Sequence, residues 1–326
     1  MPLVTLVVPA FNVARTLRQT LNALQAQTFE DFEIVIVDDG SSDETVSIAN
    51  SFLNDPRIRL ISQRNRGLAG ARNSGINTAQ GSLIGFCDAD DIWEPGKLAA
   101  HVEHLQSDET IGISYSGSSL INDDGDFIGQ SQKPRLRNIE ASHIFKRNPI
   151  GNGSSPVIRR AVFDAIAFRP ATETERDWYF DETFRQSEDI ECWLRIALTT
   201  DWAFEGVSGL LTRYRISTGG LSAVTDRQYG AWENMVTKLT PLAPDFFARY
   251  TPVARAYQLR YLARRAISDL DGQRAARLLA ESLQQSKRPL LEEPIKCGVT
   301  ILATLALVSG GRNILRTILY KKEARA

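Results

Sequence analysis

The sequence predicts an α/β fold with a mostly parallel central sheet, helices flanking that sheet, and a helical region toward the C-terminus. Two observations lead to this prediction. Continuous apolar segments alternate with segments of helical spacing in the N-terminal part, which is typical of buried parallel strands covered by helices on both faces. From Asp226 onward the sequence shows only helical patterns.

The alternation of strand and helix can be followed along the N-terminal part. Strands are predicted where apolar residues run on without polar interruption, over 3–8, 32–37, 58–62 and 83–87. Helices are predicted over 13–26, from Ser42 and Asp43 to about Phe52, over 67–79, and from Pro95 onward. Because ligands bind beyond the carboxyl ends of the strands in such sheets, PAFN (9–12), DDGS (38–41) and DADD (88–91) should lie along one edge.

The middle of the chain has a less regular pattern. Strands are predicted over 111–117, over WAFEGV (202–207) and over LLTRYRI (210–216), with a hairpin turn at NDDGD (122–126). A strand leading into a helix is predicted over 154–167, and a helix over 187–198. A helical hairpin with its turn at DLDG (269–272) is predicted over 255–286.

Composition excludes several classes of protein. The hydrophobic content of 43% and the charged content of 24% are those of an ordinary folded chain rather than a disordered one. The net charge of −1 gives no indication of a nucleic-acid partner, and none is expected. Cys87, Cys192 and Cys297 are far apart and lack metal-ligand spacing, which favours a reducing compartment. MPLVTLVVPAF has no basic lead or cleavage site, so we expect no signal peptide and a cytoplasmic location.

The segment GFCDADDIWEPGKL (85–98) places three carboxylates, Asp88, Asp90 and Asp91, within four positions. Such carboxylates repel one another unless a cation or hydrogen-bond donors compensate. A solvated turn before a helix that begins near Pro95 would explain the cluster. A bound Mg²⁺ or Mn²⁺ would also explain it, since both metals prefer oxygen ligands. The glycine-rich phosphate loops of dinucleotide-binding and P-loop proteins are absent from the sequence, so an anionic ligand would need this other source of positive charge.

Five motifs occur in a fixed order along the chain: VVPAFN (7–12), VDDGSSD (37–43), NRGLAGARNSG (65–75), CDADD (87–91) and SEDIECWLR (187–195). This series resembles that of the family 2 glycosyltransferases, which have the GT-A, or nucleotide-diphospho-sugar transferase, fold. The resemblance covers roughly residues 3–222. It implies a GT-A domain over 1–222 and a helical C-terminal region over 223–326.

The resemblance assigns nucleotide binding to residues on the predicted sheet edge and on the third helix: Pro9, Ala10, Phe11, Asn12, Asp38, Asp39, Arg72, Asp88 and Ala89. Asp39 matches the acid that reads the uracil or other base. Arg72 matches a position that faces the nucleotide, although a charge on a helix surface would also explain it. Asp88 and Asp90 match the pair that holds the ribose and a metal, with Asp91 as a third candidate ligand. The implied cofactor is Mn²⁺ or Mg²⁺.

The resemblance also implies an inverting transfer from a nucleotide-sugar donor, expected to be a UDP-sugar, to a hydroxyl of a glycan or lipid-linked acceptor. The acid of the ED motif is the general base, which is Asp189 here, and Glu188 is the alternative base or orients the acceptor. A helix N-terminus would also favour acids at these positions. The reaction itself requires two acidic sites, because a metal stabilises the leaving diphosphate while a base deprotonates the acceptor.

One position departs from the family pattern. Many relatives have a histidine where this chain has Ser217, and His101, His104 and His143 cannot replace it by sequence position. Arg213 or Arg215 could compensate. Two other functions remain open. A sugar nucleotidyltransferase would have a glycine-rich basic loop after the first strand, which PAFNVARTL (9–17) is not, and the complete set of acids argues against a catalytically silent sugar-nucleotide-binding module.

The C-terminal region is basic. From Phe246 to the end it has fifteen Lys and Arg and six Asp and Glu. The apolar run CGVTILATLALV (297–308) is too short to span a bilayer. We therefore expect residues 289–326 to associate peripherally with the cytoplasmic face of a membrane. The alternative is a packing helix with a basic, solvated face.

Overall fold

The computed structural model describes residues 1–216 and 225–311, which belong to two compact units. Unit 1 comprises Met1–Ala141 and Pro149–Gly220, and unit 2 comprises Ser142–Asn148 and Leu221–Ala326. The predicted boundary at residue 222 lies outside the described residues. The assignment of Ser142–Asn148 to unit 2 was not predicted from the sequence.

Unit 1 alternates strands and helices. Its strands are β1 (Val4–Ala10), β2 (Phe32–Asp38), β3 (Ile58–Ser62), β4 (Leu83–Phe86), β5 (Ile92–Trp93), β6 (Ile111–Ile121), β7 (Phe127–Gln132), β8 (Val157–Arg159) and β9 (Ala203–Arg215). Its helices are α1 (Leu17–Gln25), α2 (Thr45–Asn50), α3 (Gly67–Thr78), α4 (Lys97–Ser107), α6 (Arg160–Ile166) and α7 (Glu188–Thr199). Between them in the chain lies α5 (Ala141–Lys146), which belongs almost entirely to unit 2.

All these strands join one sheet with the order β3-β2-β1-β4-β8-β6-β9-β5, and β7 pairs with β6. The half formed by β3, β2, β1 and β4 is parallel throughout, as predicted. β6 and β9 are also parallel to each other, whereas β8, β7 and β5 run antiparallel to their neighbours. The predicted α/β class with helices around a largely parallel sheet is confirmed.

Every residue of β1 and β2 is buried, which explains why both strands are almost continuously apolar. Helix α3 lies close against β1. A Cβ atom at Gly75 would collide with the side chain of Val7, so a glycine is required for this approach. The glycine-containing pattern of the third predicted helix therefore reflects helix–sheet packing.

The prediction of two strands over 202–216 is wrong, because β9 is one strand. Tyr115 and Gly117 of β6 are two positions apart, whereas their partners in β9, Gly206 and Leu210, are four positions apart. β9 therefore holds extra residues at this point. Gly209 has a φ of 118°, a conformation that a residue with a Cβ rarely adopts. These residues form a bulge within a continuous strand.

The predicted NDDGD turn is confirmed. It joins β6 to β7, and the Asn122 side chain accepts hydrogen bonds from the backbone N–H groups of Asp124 and Asp126 at 3.0 and 2.8 Å. Gly125 at its tip has a φ of 93°. The turn therefore follows from local hydrogen bonding by asparagine and from the freedom of glycine.

Unit 2 is helical in its described residues. Its longer elements are α8 (Thr225–Leu239), α9 (Pro244–Ser268), α10 (Gly272–Gln285), α11 (Arg288–Glu292) and α12 (Pro294–Val308), with a 3₁₀ helix at Thr240–Leu242. The predicted hairpin is confirmed, since α9 and α10 are joined at DLDG and the Asp271 side chain accepts a hydrogen bond from Arg274 N at 3.0 Å. Within the described residues, no helix has the length and apolar character needed to cross a membrane.

Candidate active site

The carboxyl ends of β1, β2 and β4 meet at one edge of the sheet in unit 1. β1 lies between β2 and β4 and is parallel to both. The backbone N–H of Asp39 donates to the carbonyl of Ala10 at 2.8 Å, and that of Cys87 donates to the carbonyl of Val7 at 3.0 Å. The three segments predicted to share an edge are therefore brought together.

The first segment contributes two side chains near the surface. Pro9 and Ala10 are buried within β1, whereas Phe11, directly after the strand, is about half exposed. Asn12 has a φ of 53°, and its side-chain oxygen accepts a hydrogen bond from Ser42 N at 2.8 Å. This bond ties the loop after β1 to the loop after β2.

The two acids at the carboxyl end of β2 are both buried and both accept hydrogen bonds from backbone N–H groups. Asp38 accepts a bond from Ser41 N at 3.0 Å. The carboxylate of Asp39 accepts bonds from the N–H groups of Arg66 and Gly67, each at 2.8 Å, at the start of α3. A negative charge is favourable at a helix N-terminus, so Asp39 also stabilises the start of α3 in this conformation.

Arg72 connects two of the predicted acidic positions. Its guanidinium donates to Asp88 Oδ1 at 2.9 Å and to Glu188 Oε1 at 2.7 Å. Only 2% of its side chain is exposed, so it is not a charge on a helix surface. Burial alone would lower the pKa of Arg72, but the charges of Asp88, Glu188 and Asp189 outweigh this and raise it. The pairing brings the CDADD and SED motifs together although they are distant in sequence.

The acids of the SED motif have raised pKa values. Burial raises the pKa of Glu188 to about 7 despite the opposing charge of Arg72, and the charge of Asp189 adds to the increase. Burial likewise raises the pKa of Asp189, again against the influence of Arg72. Glu188 is buried, whereas Asp189 is only partly buried. Asp189 is therefore the more accessible of two acids whose affinity for protons is increased.

The turn before these acids is conformationally unusual. Ser187 has a φ of 61°, in the left-handed region that side chains rarely adopt, and α7 begins directly after it at Glu188. Both acids therefore lie in the first turn of α7, as the helix-terminus interpretation also expected. The structure adds what that interpretation lacks, namely the ion pair with Arg72.

Asp90 and Asp91 differ in their surroundings. Asp90 is partly exposed, and burial together with the charge of Asp88 raises its pKa to about 6. Asp91 is fully buried; its carboxylate accepts bonds from Ser154 Oγ at 2.5 Å and from Arg215 N at 2.9 Å. In this conformation Asp91 points into the protein, so the accessible carboxylates of the cluster are those of Asp88 and Asp90. The solvated-turn explanation does not fit a buried Asp91.

The middle residue of the Asp-x-Asp pair is structural in its contacts. Ala89 is buried, and its carbonyl accepts a hydrogen bond from Thr16 Oγ1 at 2.9 Å. This bond ties the DADD segment (88–91), which we call the acidic turn, to the chain just before α1.

The sequence did not single out Ser154, yet this residue organises the acidic turn. Its hydroxyl accepts a bond from Asp88 N at 2.8 Å while donating to Asp91. Its carbonyl accepts bonds from Trp93 Nε1 at 3.0 Å and Lys97 Nζ at 2.6 Å. We call Ser154, Trp93, Lys97 and Asp91 the Ser154 network. The sequence signal for Ser154 is its place within IGNGSS (150–155), a segment that the sequence leads us to interpret as lining the donor-sugar or acceptor side.

Two further residues border the site. Burial raises the pKa of Tyr214, and the charges of Asp91, Asp88, Asp90 and Asp189 add to the increase. At Gly153, a Cβ atom would collide with Arg72 and crowd Asp88. The Y-R pair of β9 and the glycine before Ser154 were the available signals for this side of the site.

The two arginines considered as substitutes for the missing histidine already have hydrogen-bond partners within the protein. Arg213 pairs with Glu94 at 2.6 Å. Arg215 donates to the backbone carbonyl of Asp90 at 2.8 Å and to that of Asn122 at 2.7 Å. Arg215 therefore stabilises the acidic turn through the backbone of Asp90. Ser217 itself lies outside the described residues.

The side chains that could coordinate a metal ion fit such an ion only in part. Among residues 1–216 and 225–311, no group of three or more His, Cys, Asp or Glu side chains is arranged to hold a metal ion. Asp88 and Asp90 nevertheless form a pair of neighbouring carboxylates in which one raises the pKa of the other. Two carboxylates suit a hard divalent cation that takes its remaining oxygen ligands from water and phosphate.

Comparison with known proteins bears on the family and the fold. An uncharacterized glycosyltransferase of Rickettsia bellii is 25% identical over 244 residues, which are 73% of this chain but only 34% of that protein. The chain thus spans about a third of that relative's length. S. aureus TarS 1-349 in complex with UDP-GlcNAc has a similar fold (TM-score 0.54, 18% identity, 100% of this chain and 88% of that chain).

The mannosyltransferase PcManGT of Pyrobaculum calidifontis, in complex with GDP-Man and Mn²⁺, is similar in fold to the same degree (TM-score 0.54, 19% identity, 94% of this chain and 86% of that chain). At such identities these structures establish the fold alone. The family evidence is the match of residues 5–167, half of the chain, to the sequence model of glycosyl transferase family 2. This chain belongs to glycosyl transferase family 2.

Proposed function

We propose that this protein is an inverting glycosyltransferase that moves a sugar from a nucleotide-diphosphate donor, with UDP-sugars as the first candidates, to a hydroxyl of a glycan or lipid-linked acceptor. The observation that carries the proposal is the ion-pair bridge in which Arg72 joins Asp88 to Glu188. It holds the acids proposed for the donor and those proposed for the acceptor beside each other in unit 1.

Asp189 is proposed as the general base. The acceptor hydroxyl gives its proton to the Asp189 carboxylate while its oxygen forms the new bond to the anomeric carbon. The bond from that carbon to the diphosphate breaks at the same time, and the nucleoside diphosphate leaves with the electron pair. A single displacement of this kind inverts the anomeric configuration. The raised pKa of Asp189 supports this role, since a base is most effective when its pKa approaches the working pH.

Glu188 is proposed to position the site rather than to accept the proton. Its carboxylate is buried and held by Arg72 at 2.7 Å. This contact fixes the first turn of α7, and with it the backbone that presents Asp189. Asp39, Phe11 and Asn12 are proposed to contact the nucleotide, because they lie along the same sheet edge as Asp88.

Asp88 and Asp90 are proposed to hold Mn²⁺ or Mg²⁺, which would supply positive charge next to the leaving diphosphate. The support for this assignment is the accessible position of both carboxylates and the raised pKa of Asp90, which indicates a carboxylate that lacks sufficient positive charge nearby. Asp91 is proposed as a structural support for this pair. The neighbours of similar fold crystallised with UDP-GlcNAc and with GDP-Man and Mn²⁺ support a nucleotide sugar as the donor class.

The test is a panel of nucleotide sugars read by thermal shift in the presence of Mn²⁺, followed by measurement of nucleoside diphosphate release with the donor that binds. We expect at least one donor to bind and to release its nucleoside diphosphate. Binding without release in the presence of any acceptor would favour the silent binding module. Release of pyrophosphate from a nucleoside triphosphate and a sugar phosphate would instead favour a nucleotidyltransferase.

A further inference from the structure

Unit 2 carries a row of aliphatic side chains that face solvent. The row consists of exposed residues of α11 and α12: Leu291, Ile295, Val299, Leu302, Leu305 and Val308. We call it the aliphatic face. On α12 its members recur every three or four residues, so they share one side of the helix. Ile295 is 82% exposed and Leu302 is 68% exposed, whereas Cys297 on the other side of α12 is buried.

Helix α12 exposes large aliphatic residues and buries two threonines alongside Cys297 and Leu307. Thr300 and Thr304 face inward, and their hydroxyls donate to backbone carbonyls of the preceding turn at 2.7 and 2.8 Å. Surface helices normally turn their large apolar residues inward and their polar residues outward. The solvated side of α12 thus carries large aliphatic side chains, whereas the alternative of a packing helix expected a basic solvated face. A contiguous exposed apolar patch of this kind marks an interaction site.

The acidic residues next to this face are neutralised within unit 2. Glu293 pairs with three basic side chains: Arg147, Arg260 and Lys296. Burial of its carboxyl works in the opposite direction, but the hydrogen bonds from Lys296 and Arg260 prevail and lower the pKa of Glu293 to about 2. Glu292 accepts a hydrogen bond from the Tyr257 hydroxyl at 2.6 Å. These carboxylates therefore add little net repulsion toward an anionic surface.

Basic residues lie on both sides of the aliphatic face in the sequence. Lys287 and Arg288, at the start of α11, are exposed. The segment 312–326, which follows α12 and lies outside the described residues, contains five Lys and Arg and one Glu. An anionic lipid surface complements both properties, since acyl chains accept aliphatic side chains and headgroups attract the flanking cations.

We propose that the aliphatic face docks on an anionic lipid surface, with α12 lying in the plane of that surface. The fifteen residues of α12 extend over about 22 Å, less than the roughly 30 Å of a hydrocarbon core, so the helix suits the interface rather than a span. A protein partner is less favoured by the chemistry of the face, which holds only Leu, Ile and Val, because protein hot spots are enriched in Trp, Tyr and Arg. The proposal does not depend on the chemistry proposed for unit 1.

The experiment is flotation of the full-length protein with phosphatidylcholine vesicles that either contain or lack phosphatidylglycerol, at low and high salt. We expect binding to the anionic vesicles that weakens with salt. The variant Ile295→Glu/Leu302→Glu should bind at least tenfold more weakly. The control Leu53→Glu/Leu242→Glu makes the same change of charge at exposed residues outside the face and should bind like the wild type. Circular dichroism establishes that each variant is folded.

A second measurement does not depend on the stability of the double variant. The native cysteines are all buried, so Leu302→Cys can be labelled selectively with an environment-sensitive fluorophore. Its emission should shift to the blue on addition of anionic vesicles, and the emission of labelled Leu242→Cys should not. The proposal is overturned if the wild type stays unbound at low salt, if the double variant floats as well as the wild type, or if sedimentation shows a dimer that the double variant abolishes without any flotation. The last result would mean that a second copy covers the face.

Discussion

Glu188 and Asp189 are neighbours in sequence, yet the structure gives them different surroundings. Glu188 is buried against Arg72, whereas Asp189 is partly exposed. Asp189→Asn should therefore leave donor binding intact and reduce turnover by about 10²–10⁴-fold, since an amide of the same shape cannot accept a proton. Donor affinity by calorimetry and nucleoside diphosphate release by an enzymatic assay test this. A loss of less than about tenfold would make Glu188 the base.

Lys97 is a second residue whose surroundings dictate its behaviour. Burial lowers the pKa of Lys97 to about 7, and a neutral amine still has two N–H groups for its bonds to Ser154 and Thr212. Because the pKa is lower in the folded state, the unfolded chain binds more protons at intermediate pH, and Lys97 should make stability rise from about pH 7 to about pH 10. Urea unfolding at several pH values should show this rise in the wild type relative to Lys97→Met. Parallel pH profiles for the two proteins would contradict it.

At the scale of elements, the acidic turn is held by a loop that precedes β8. Ser154→Ala would leave the N–H of Asp88 and the carboxylate of Asp91 without their hydroxyl partner. We expect Mn²⁺-dependent binding of UDP to weaken at least tenfold. Ser155→Ala is the matched control, because Ser155 is equally buried but its hydroxyl bonds to the backbone of Ser116 in β6. Calorimetry measures both, and equal losses would mean that the effect is general destabilisation.

The sequence predicted those strands, turns and helices that depend on a local pattern of residues. The continuous apolar strands, the NDDGD turn and the α9–α10 hairpin follow from residues close together in the chain. The continuity of β9 across its bulge could not be predicted, because it depends on pairing with β6. α5 was missed because six residues carry too short a pattern to reveal a helix.

In the candidate site, too, the sequence predicted the residues that belong to local motifs but not the contacts between distant positions. The acids stood out because motif order identified them, and the structure places the segments that carry them around one sheet edge and α7. The roles of Lys97 and Ser154 could not be predicted, since their hydrogen bond joins positions 57 residues apart and depends on the completed fold. The burial of Arg72 was also hidden, because a helix pattern does not show which neighbour covers a charge.

For the whole molecule, ligand binding should appear as stability. At 100 times its dissociation constant, UDP with Mn²⁺ should stabilise the folded state by about 2.7 kcal/mol, visible as a higher melting temperature. Asp90→Ala should lose this shift, and its unliganded form should melt no lower than the wild type, because the variant removes a carboxylate whose raised pKa reflects burial and repulsion from Asp88. An unchanged shift in Asp90→Ala would remove Asp90 from the metal assignment.

The Arg72 bridge also restricts how this chain can change in evolution. Removing one member of a buried ion-pair network typically costs about 3–5 kcal/mol, because a charge is left without its partner. We therefore expect the requirement to fold to retain Asp88, Arg72 and Glu188, even in a relative that lacks the proposed transferase activity. Asp189 and Asp90 are outside this bridge and can drift at little structural cost. In a set of related sequences, a change at these two positions is therefore the earlier sign of lost activity.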